Sequence, residues 1–267
     1  EKLRGADLTL RFPSVGATEN LMMAATLAEG LTTIHNAARE PEIIDLANFL
    51  NKLGAKVRSA GSSTIKIEGT ESLRGAHHRP IGDRIEAVTY IICALATKSE
   101  IAVCNFDPKY IEDVLHVLQS MGAKFEIGSD YVKVLESEIR PSQAVTAPYP
   151  GFPTDAQAQL MALMSIVPGK STVVENIFEN RFMHVPELNR LGANIRVEGK
   201  MATIDGVVNL SGAQVMCTDL RASAALVIGA LVAKGQSQIS RVYHLDRGYE
   251  KLEKKLTALG ADIKRIS

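Results

Sequence analysis

At 267 residues, 46% hydrophobic and 22% charged, the chain has the composition of an ordinary soluble globular protein of one or two domains. Its 30 Lys and Arg balance 30 Asp and Glu, so no global field points to nucleic acid or to an anionic membrane, and any electrostatic site is local. Three cysteines without CxxC spacing (Cys93, Cys104, Cys217) argue against a disulfide framework or a metal site and suit a reducing cytosol, and no apolar run reaches the roughly 18 residues of a membrane span.

In chain order, one unit recurs four times. The first copy has an apolar helix over Val15–Leu27, a turn at Glu29-Gly30, a β-rich run at Thr32–Ile34 and an amphipathic helix over Ile43–Leu53. Gly54 caps that helix in the left-handed region, the residues after it start a strand, and Thr64–Ile67 adds a hairpin partner. The second copy places its helices at Ile85–Ala96 and Tyr110–Met121, with a hairpin strand at Tyr131–Val134. The third has Asp155–Ile166, a β-run at Ser171–Val174, and Val185–Leu191; the fourth has Leu220–Val232 and Tyr249–Leu259, with a strand expected at Ile263. The register mark is a Gly-Ala step after Leu53, Met121, Leu191 and Leu259, with glycines 68, 70 and 68 residues apart.

The first helix of each copy is apolar nearly all round and is expected to be buried, while the second is expected at the surface. The predicted fold class is therefore α/β (α+β), built of repeated βαβαββ units, with buried helices surrounded by sheets. The softest joint, Gly75-Ala76-His77-His78-Arg79-Pro80, divides the chain into 1–79, one repeat of an incomplete first domain, and 80–267, a second domain of three repeats. The N-terminus, Glu1-Lys2-Leu3-Arg4-Gly5, has no apolar run behind it and reads as a chain entered in its middle.

Each apolar helix begins at a polar cap candidate: Ser14, Asp83, Thr154 and Thr218. Capping does not explain Arg84 and Arg221, whose cations oppose the helix macrodipole unless an anion offsets them. Arg39, Arg181 and Arg247 occupy the equivalent loop before the second helix, so five arginines line one predicted anion-binding rim. The alternative is local surface pairing, of Asp83 with Arg84, Asp219 with Arg221 and Asp246 with Arg247. Asp155 follows a Pro-rich, rigid approach and has no basic neighbour within several positions. It is either a general base held among cations from other repeats or an ordinary helix-start acid. His184 lacks partner spacing for a metal or a triad and reads as structural or solvated. The GxGxxG and GxxxxGK[ST] phosphate loops are absent.

Several segments resemble the UDP-N-acetylglucosamine enolpyruvyl transferases nearly word for word. They include Pro13-Ser14-Val15-Gly16-Ala17-Thr18-Glu19-Asn20, Ala38-Arg39-Glu40-Pro41-Glu42, Phe152-Pro153-Thr154-Asp155, Glu179-Asn180-Arg181-Phe182-Met183-His184, Thr218-Asp219-Leu220-Arg221 and Asp246-Arg247-Gly248-Tyr249-Glu250. The resemblance implies an inside-out α/β barrel of the enolpyruvyl transferase type, with six units in two domains, of which about two precede this chain. The missing N-terminal segment is then the chain's partner, and without it the chain is expected to be inactive.

The resemblance also implies a cytoplasmic transferase of cell-wall (peptidoglycan) synthesis, with UDP-N-acetylglucosamine and phosphoenolpyruvate as substrates and no cofactor or metal. It makes Asp155 and Arg247 catalytic, and gives phosphoenolpyruvate and phosphate to Arg181, Asp219, Arg221 and Arg247. The nucleotide sugar meets Phe12, Pro13, Ser14, Val15, Gly16, Asp155 and Ile177, with Glu40, Glu42, Arg84, Thr154 and Glu179 in support. Some members have a lysine where this chain has Phe12, which removes a side-chain contact to the nucleotide. The sibling synthases of enolpyruvyl shikimate phosphate and a non-catalytic anion-binding repeat module are the other two readings.

Overall fold

The computed structural model describes residues 2–266; Glu1 and Ser267, the outer ends of the two predicted domains, lie outside the described residues. The chain forms two compact units, one running to Gly82 and including Pro148–Pro150, the other comprising Asp83–Ala147 and the residues from Gly151 onward.

The first unit contains β1 (Asp7–Thr9), α1 (Val15–Ala25), β2 (Leu31–His35), α2 (Pro41–Lys52), β3 (Lys56–Arg58) and β4 (Thr64–Glu68). Its sheet runs β1-β2-β4-β3, with β1 parallel to β2 and the other pairs antiparallel. The segment read as the softest joint is tied to α2: His78 Nε2 meets Asp45 Oδ1 at 2.9 Å, Lys52 Nζ lies 3.2 Å from Nδ1, and the imidazole packs on Phe49.

The second unit begins with α3 (Arg84–Thr97), β5 (Ala102–Cys104), a 3-10 turn at Pro108–Ile111, α4 (Glu112–Ser120), β6 (Lys124–Ile127), β7 (Tyr131–Leu135) and β8 (Gln143–Val145). It continues with α5 (Thr154–Met164), β9 (Gly169–Val174), α6 (Val185–Arg190), β10 (Ile195–Glu198) and β11 (Met201–Gly206). The last copy supplies β12 (Gln214–Met216), α7 (Leu220–Val232), β13 (Gln238–Ser240), a 3-10 turn at Val242–Arg247 and α8 (Leu252–Ala258).

The repeat is visible in the pairing. The sheet β8-β9-β11-β10 has the order and sense of the first unit's sheet, β5-β7-β6 lacks only the leading parallel strand, and β12-β13 keeps only the parallel pair. All four predicted Gly caps are left-handed: Gly54, Gly122, Gly192 and Gly260 have φ of 102°, 99°, 92° and 96°.

Helices α3, α5 and α7 pack on one another at the centre of the second unit. Every residue of α5 from Ala156 to Met164 is buried, as is all of α3 from Arg84 to Ala96 except Glu86. Helix α7 is buried from Ala222 to Gly229, and at Gly229 a Cβ would meet Leu188 and Leu191 at α6. The surface helices bury one stripe each, such as Val114, Leu115 and Leu118 of α4 or Leu252 and Leu256 of α8.

Two expectations are corrected. Helix α1 is not buried: only Thr18, Met22 and Ala25 are covered, and Met23 and Leu27 keep 46% and 48% of their surface. Each central helix of the second unit has two others to pack on, whereas α1 has no equivalent neighbour in its own unit. The strand expected at Ile263 is absent as well. In the earlier copies that strand pairs with a hairpin partner (β4, β7 or β11), and among the described residues the last copy has none to receive its backbone groups. Smaller differences are the 3-10 start of the second surface helix and the late start of α8, which leaves Tyr249 ahead of the helix.

At Gly69, just after β4, and Gly206, the last residue of β11, a Cβ would overlap the carbonyl oxygens of Ala28 and Val167. We expect Gly206→Ala to cost about 2–4 kcal/mol in urea unfolding. Gly75→Ala, at a site where a Cβ meets nothing, should stay within about 0.5 kcal/mol. Equal costs would refute the close-approach argument.

His184, at the start of α6, is buried, with Nε2 3.3 Å from Met161 Sδ. Burial pushes its imidazole down to about 4, so it is neutral in the folded chain. The unfolded state binds the proton first, so stability is retained above the ordinary value of 6.5 and lost as pH falls from there towards 4. Urea titrations should show about 2 kcal/mol less stability at pH 5 than at pH 7, and His184→Gln should flatten that slope. An unchanged slope in the variant would assign the loss to other groups.

Candidate active site

Asp155, in the first turn of α5, is gripped from two sides. Arg181 Nη2 donates to Oδ1 at 2.7 Å, and Arg221 Nη2 to Oδ2 at 3.4 Å. The guanidinium groups come from different repeats, one from the loop ahead of α6 and one from the first turn of α7. The carboxylate keeps 40% of its side-chain surface, while Arg181 and Arg221 keep 24% and 13%. A solute can therefore reach the acid while the bases are held in place. The start of α5 adds its own positive end, which favours an anion there.

At the start of α7 the backbone and the guanidinium are held by separate partners. Asp219 caps the helix, accepting from the backbone N–H groups of Arg221 and Ala222 at 2.9 Å each. Arg221 Nη1 donates to the Tyr249 hydroxyl at 3.2 Å and stands over its ring at 5.7 Å. Tyr249 in turn meets Thr89 of α3 at 2.8 Å and Gln159 of α5 at 3.4 Å, so all three central helices contribute to the setting of one guanidinium.

The Arg181 loop is built on Glu175, buried at the end of β9. Its Oε1 accepts from Thr146 Oγ1 and from the backbone N–H groups of Ile177 and Phe178 at 3.0, 2.7 and 3.1 Å. Its Oε2 accepts from Thr154 Oγ1 at 2.9 Å, which links the loop to the residue before Asp155. Arg181 also lies over the Phe178 ring at 5.4 Å.

The cap expectations divide. Ser14 caps α1, accepting from Ala17 N–H at 3.3 Å, and Asp83 caps α3. Thr154 does not cap α5, because its hydroxyl donates to Glu175 and the cap position is Pro153. Thr218 stands one residue too early: Asp219 is the cap, and the Thr218 hydroxyl is buried without a hydrogen bond among the described residues.

Of the five arginines placed on one rim, Arg181 and Arg221 meet at Asp155. Arg84 is buried at the start of α3. Arg247 is exposed at the end of the last 3-10 turn and, among the described residues, makes no bond to Asp155. Its neighbour Asp246 pairs with Arg265 at 2.6 and 2.9 Å instead. Arg39 belongs to the first unit, where Nε donates to the Gly61 carbonyl at 3.4 Å.

In the first unit, Phe12 is exposed before α1, and Val15 and Gly16 open that helix, with open space beside Gly16. Glu40 caps Arg39 N–H rather than its own helix. Glu42 lines a cavity of about 350 Å³ with Glu19, Asp45 and His78, and there burial, then Glu42 and Glu40, pushes the Glu19 carboxyl up. Glu179 is exposed on the Arg181 loop. Sequence reasoning missed Glu175, Thr89, Gln159 and Tyr249. A polar residue inside an apolar helix run, as Thr89 and Gln159 are, was the available signal; Glu175 carried none.

A family model described as EPSP synthase (3-phosphoshikimate 1-carboxyvinyltransferase) matches residues 1–256. The UDP-N-acetylglucosamine 1-carboxyvinyltransferase 2 of Carboxydothermus hydrogenoformans is 53% identical over 269 residues, covering 100% of this chain and 64% of that protein. The UDP-N-acetylglucosamine 1-carboxyvinyltransferase of Idiomarina loihiensis is 53% identical with the same coverage. The chain thus spans 64% of the length of these curated relatives. Among solved structures, the enolpyruvyl transferase NikO of Streptomyces tendae superposes with a TM-score of 0.86 at 29% identity, over 98% of this chain and 66% of NikO. The EPSP synthase of Acinetobacter baumannii gives 0.75 at 16% identity, over 100% of this chain and 64% of that one, a likeness of fold. By fold and by sequence, the chain belongs to the EPSP synthase (3-phosphoshikimate 1-carboxyvinyltransferase) family.

Proposed function

We propose that the protein carrying this chain transfers the enolpyruvyl group of phosphoenolpyruvate to the 3'-hydroxyl of UDP-N-acetylglucosamine and releases phosphate, the first committed step of peptidoglycan synthesis. The observation that carries this reading is the reachable Asp155 carboxylate standing between two fixed guanidinium groups. The choice of acceptor is supported by the names of relatives 53% identical to this chain. The EPSP synthases compared are 16% identical and speak only for the fold.

In this reading the sugar hydroxyl gives its proton to Asp155 as its oxygen bonds to C2 of phosphoenolpyruvate, and C3 gains a proton. Loss of a C3 proton with cleavage of the bond between C2 and the phosphate oxygen then yields the enolpyruvyl ether and inorganic phosphate. Arg181, Arg221 and Arg247, with Asp219 holding the start of α7, bind the phosphate and carboxylate of phosphoenolpyruvate. Phe12, Pro13, Ser14, Val15 and Gly16 meet the nucleotide sugar, with Ile177 through its backbone. Glu40, Glu42, Arg84, Thr154 and Glu179 support these positions.

The reaction belongs in the cytoplasm, where it serves cell-wall biogenesis and, through it, cell shape and division. Two further repeats ahead of this chain complete the first domain, with the first unit as its last repeat. They cover the exposed Met23 of α1 and Leu27 just after it, and the chain alone should release no phosphate from the two substrates.

Two measurements test the proposal in the protein completed by that preceding segment. Asp155→Asn should lower kcat by about 10²–10⁴ without changing the unfolding midpoint. Turnover at the wild-type level would remove Asp155 from the chemistry and favour a non-catalytic anion site. In titrations, UDP-N-acetylglucosamine should bind more tightly than shikimate 3-phosphate; the reverse order would assign the sibling acceptor.

A further inference from the structure

We infer that Tyr249 is a positioning residue that holds the Arg221 guanidinium back from Asp155 and so leaves the carboxylate open to a substrate proton and Arg221 open to an incoming anion. The inference rests on the reading of Asp155 and Arg221 proposed above.

The asymmetry of the grip motivates it. Arg181 closes on Asp155 at 2.7 Å, a full charge-assisted hydrogen bond, while Arg221 stops at 3.4 Å. Arg221 is the more buried of the two and has less solvent competing for its donors. Distance from the carboxylate is therefore imposed, and the Tyr249 hydroxyl imposes it by taking Nη1 at 3.2 Å.

That hydroxyl cannot follow the guanidinium. The Thr89 hydroxyl donates to the Ile85 carbonyl at 2.9 Å, so at 2.8 Å it receives the Tyr249 proton, and Gln159 Nε2 donates into the same oxygen at 3.1 Å. The direction is fixed from Arg221 through Tyr249 and Thr89 to a backbone carbonyl. The Tyr249 ring is fully buried, and burial pushes its phenol up, which keeps it neutral and able to act as donor and acceptor at once. The acids that act on Arg221 include Asp155 and Asp83, while Tyr249 takes one of its donors and Asp155 the other. Without that oxygen, Asp155 is the remaining side chain bonded to the guanidinium among the described residues, and the pair closes into a tighter salt bridge on an acid already held by Arg181.

The test is a double-mutant cycle in the protein completed by the preceding segment, with phosphoenolpyruvate as the titrated probe. Tyr249→Phe, which keeps the ring and its packing, should weaken binding about tenfold when Asp155 is present. In an Asp155→Asn background, where no carboxylate attracts Arg221, the same change should cost less than about twofold. Equal losses in both backgrounds would mean that Tyr249 is merely structural, and no loss in either would mean that it holds nothing; both overturn the inference. Absence of binding by the unaltered completed protein would count against the functional reading instead. A crystal structure of Tyr249→Phe then decides the inference: Arg221 drawn to about 2.8 Å from Asp155 supports it, and Arg221 left at its present separation refutes it.

Discussion

The site depends on one constraint: two guanidinium groups from different repeats must reach one carboxylate at the start of α5. A pair of this exposure contributes about 0–1 kcal/mol to folding, so its geometry is not explained by stability. What it requires is that α5 and α7 start side by side, which their packing on each other provides. The central helices therefore both form the core and set the positions of the charged groups at one end of it.

Two buried polar systems connect that core to the site. Glu175, with four donors on its two oxygens, fixes the loop that carries Arg181 and joins it to Thr154 at the helix start. The chain through Thr89, Gln159 and Tyr249 fixes Arg221 from the side of α3. A buried carboxylate or hydroxyl is costly unless fully bonded, and these are bonded almost throughout. Their cost is therefore low, and their effect is to hold each guanidinium in one orientation.

The repeats were legible in the sequence because a left-handed Gly after each surface helix is a local backbone demand that few other residues meet. The central helices were legible from their unbroken apolar runs. The exposure of α1 was not, because α1 is as apolar as its counterparts and differs only in lacking neighbours. Ile263 failed for a related reason: strand propensity is realised only with a partner strand. Asp155, Arg181 and Arg221 stood out as charges at helix starts and loops, but Arg39, Arg84 and Arg247 carried the same signal without meeting at Asp155. Tertiary partners selected among them. Glu175 and Tyr249 were hidden because a buried Glu and a buried Tyr look like any loop Glu and helix-start Tyr until their partners, up to 160 residues away, are in place.

The central claim is that Arg181 and Arg221 act as one anion-binding pair around Asp155. The most direct measurement is an NMR spectrum of the arginine Nε–Hε groups recorded while inorganic phosphate is added to this chain. The account predicts that the Arg181 and Arg221 signals shift together along a single saturation curve while Arg39 stays in place. Independent curves for the two, or a response confined to surface arginines, would contradict it.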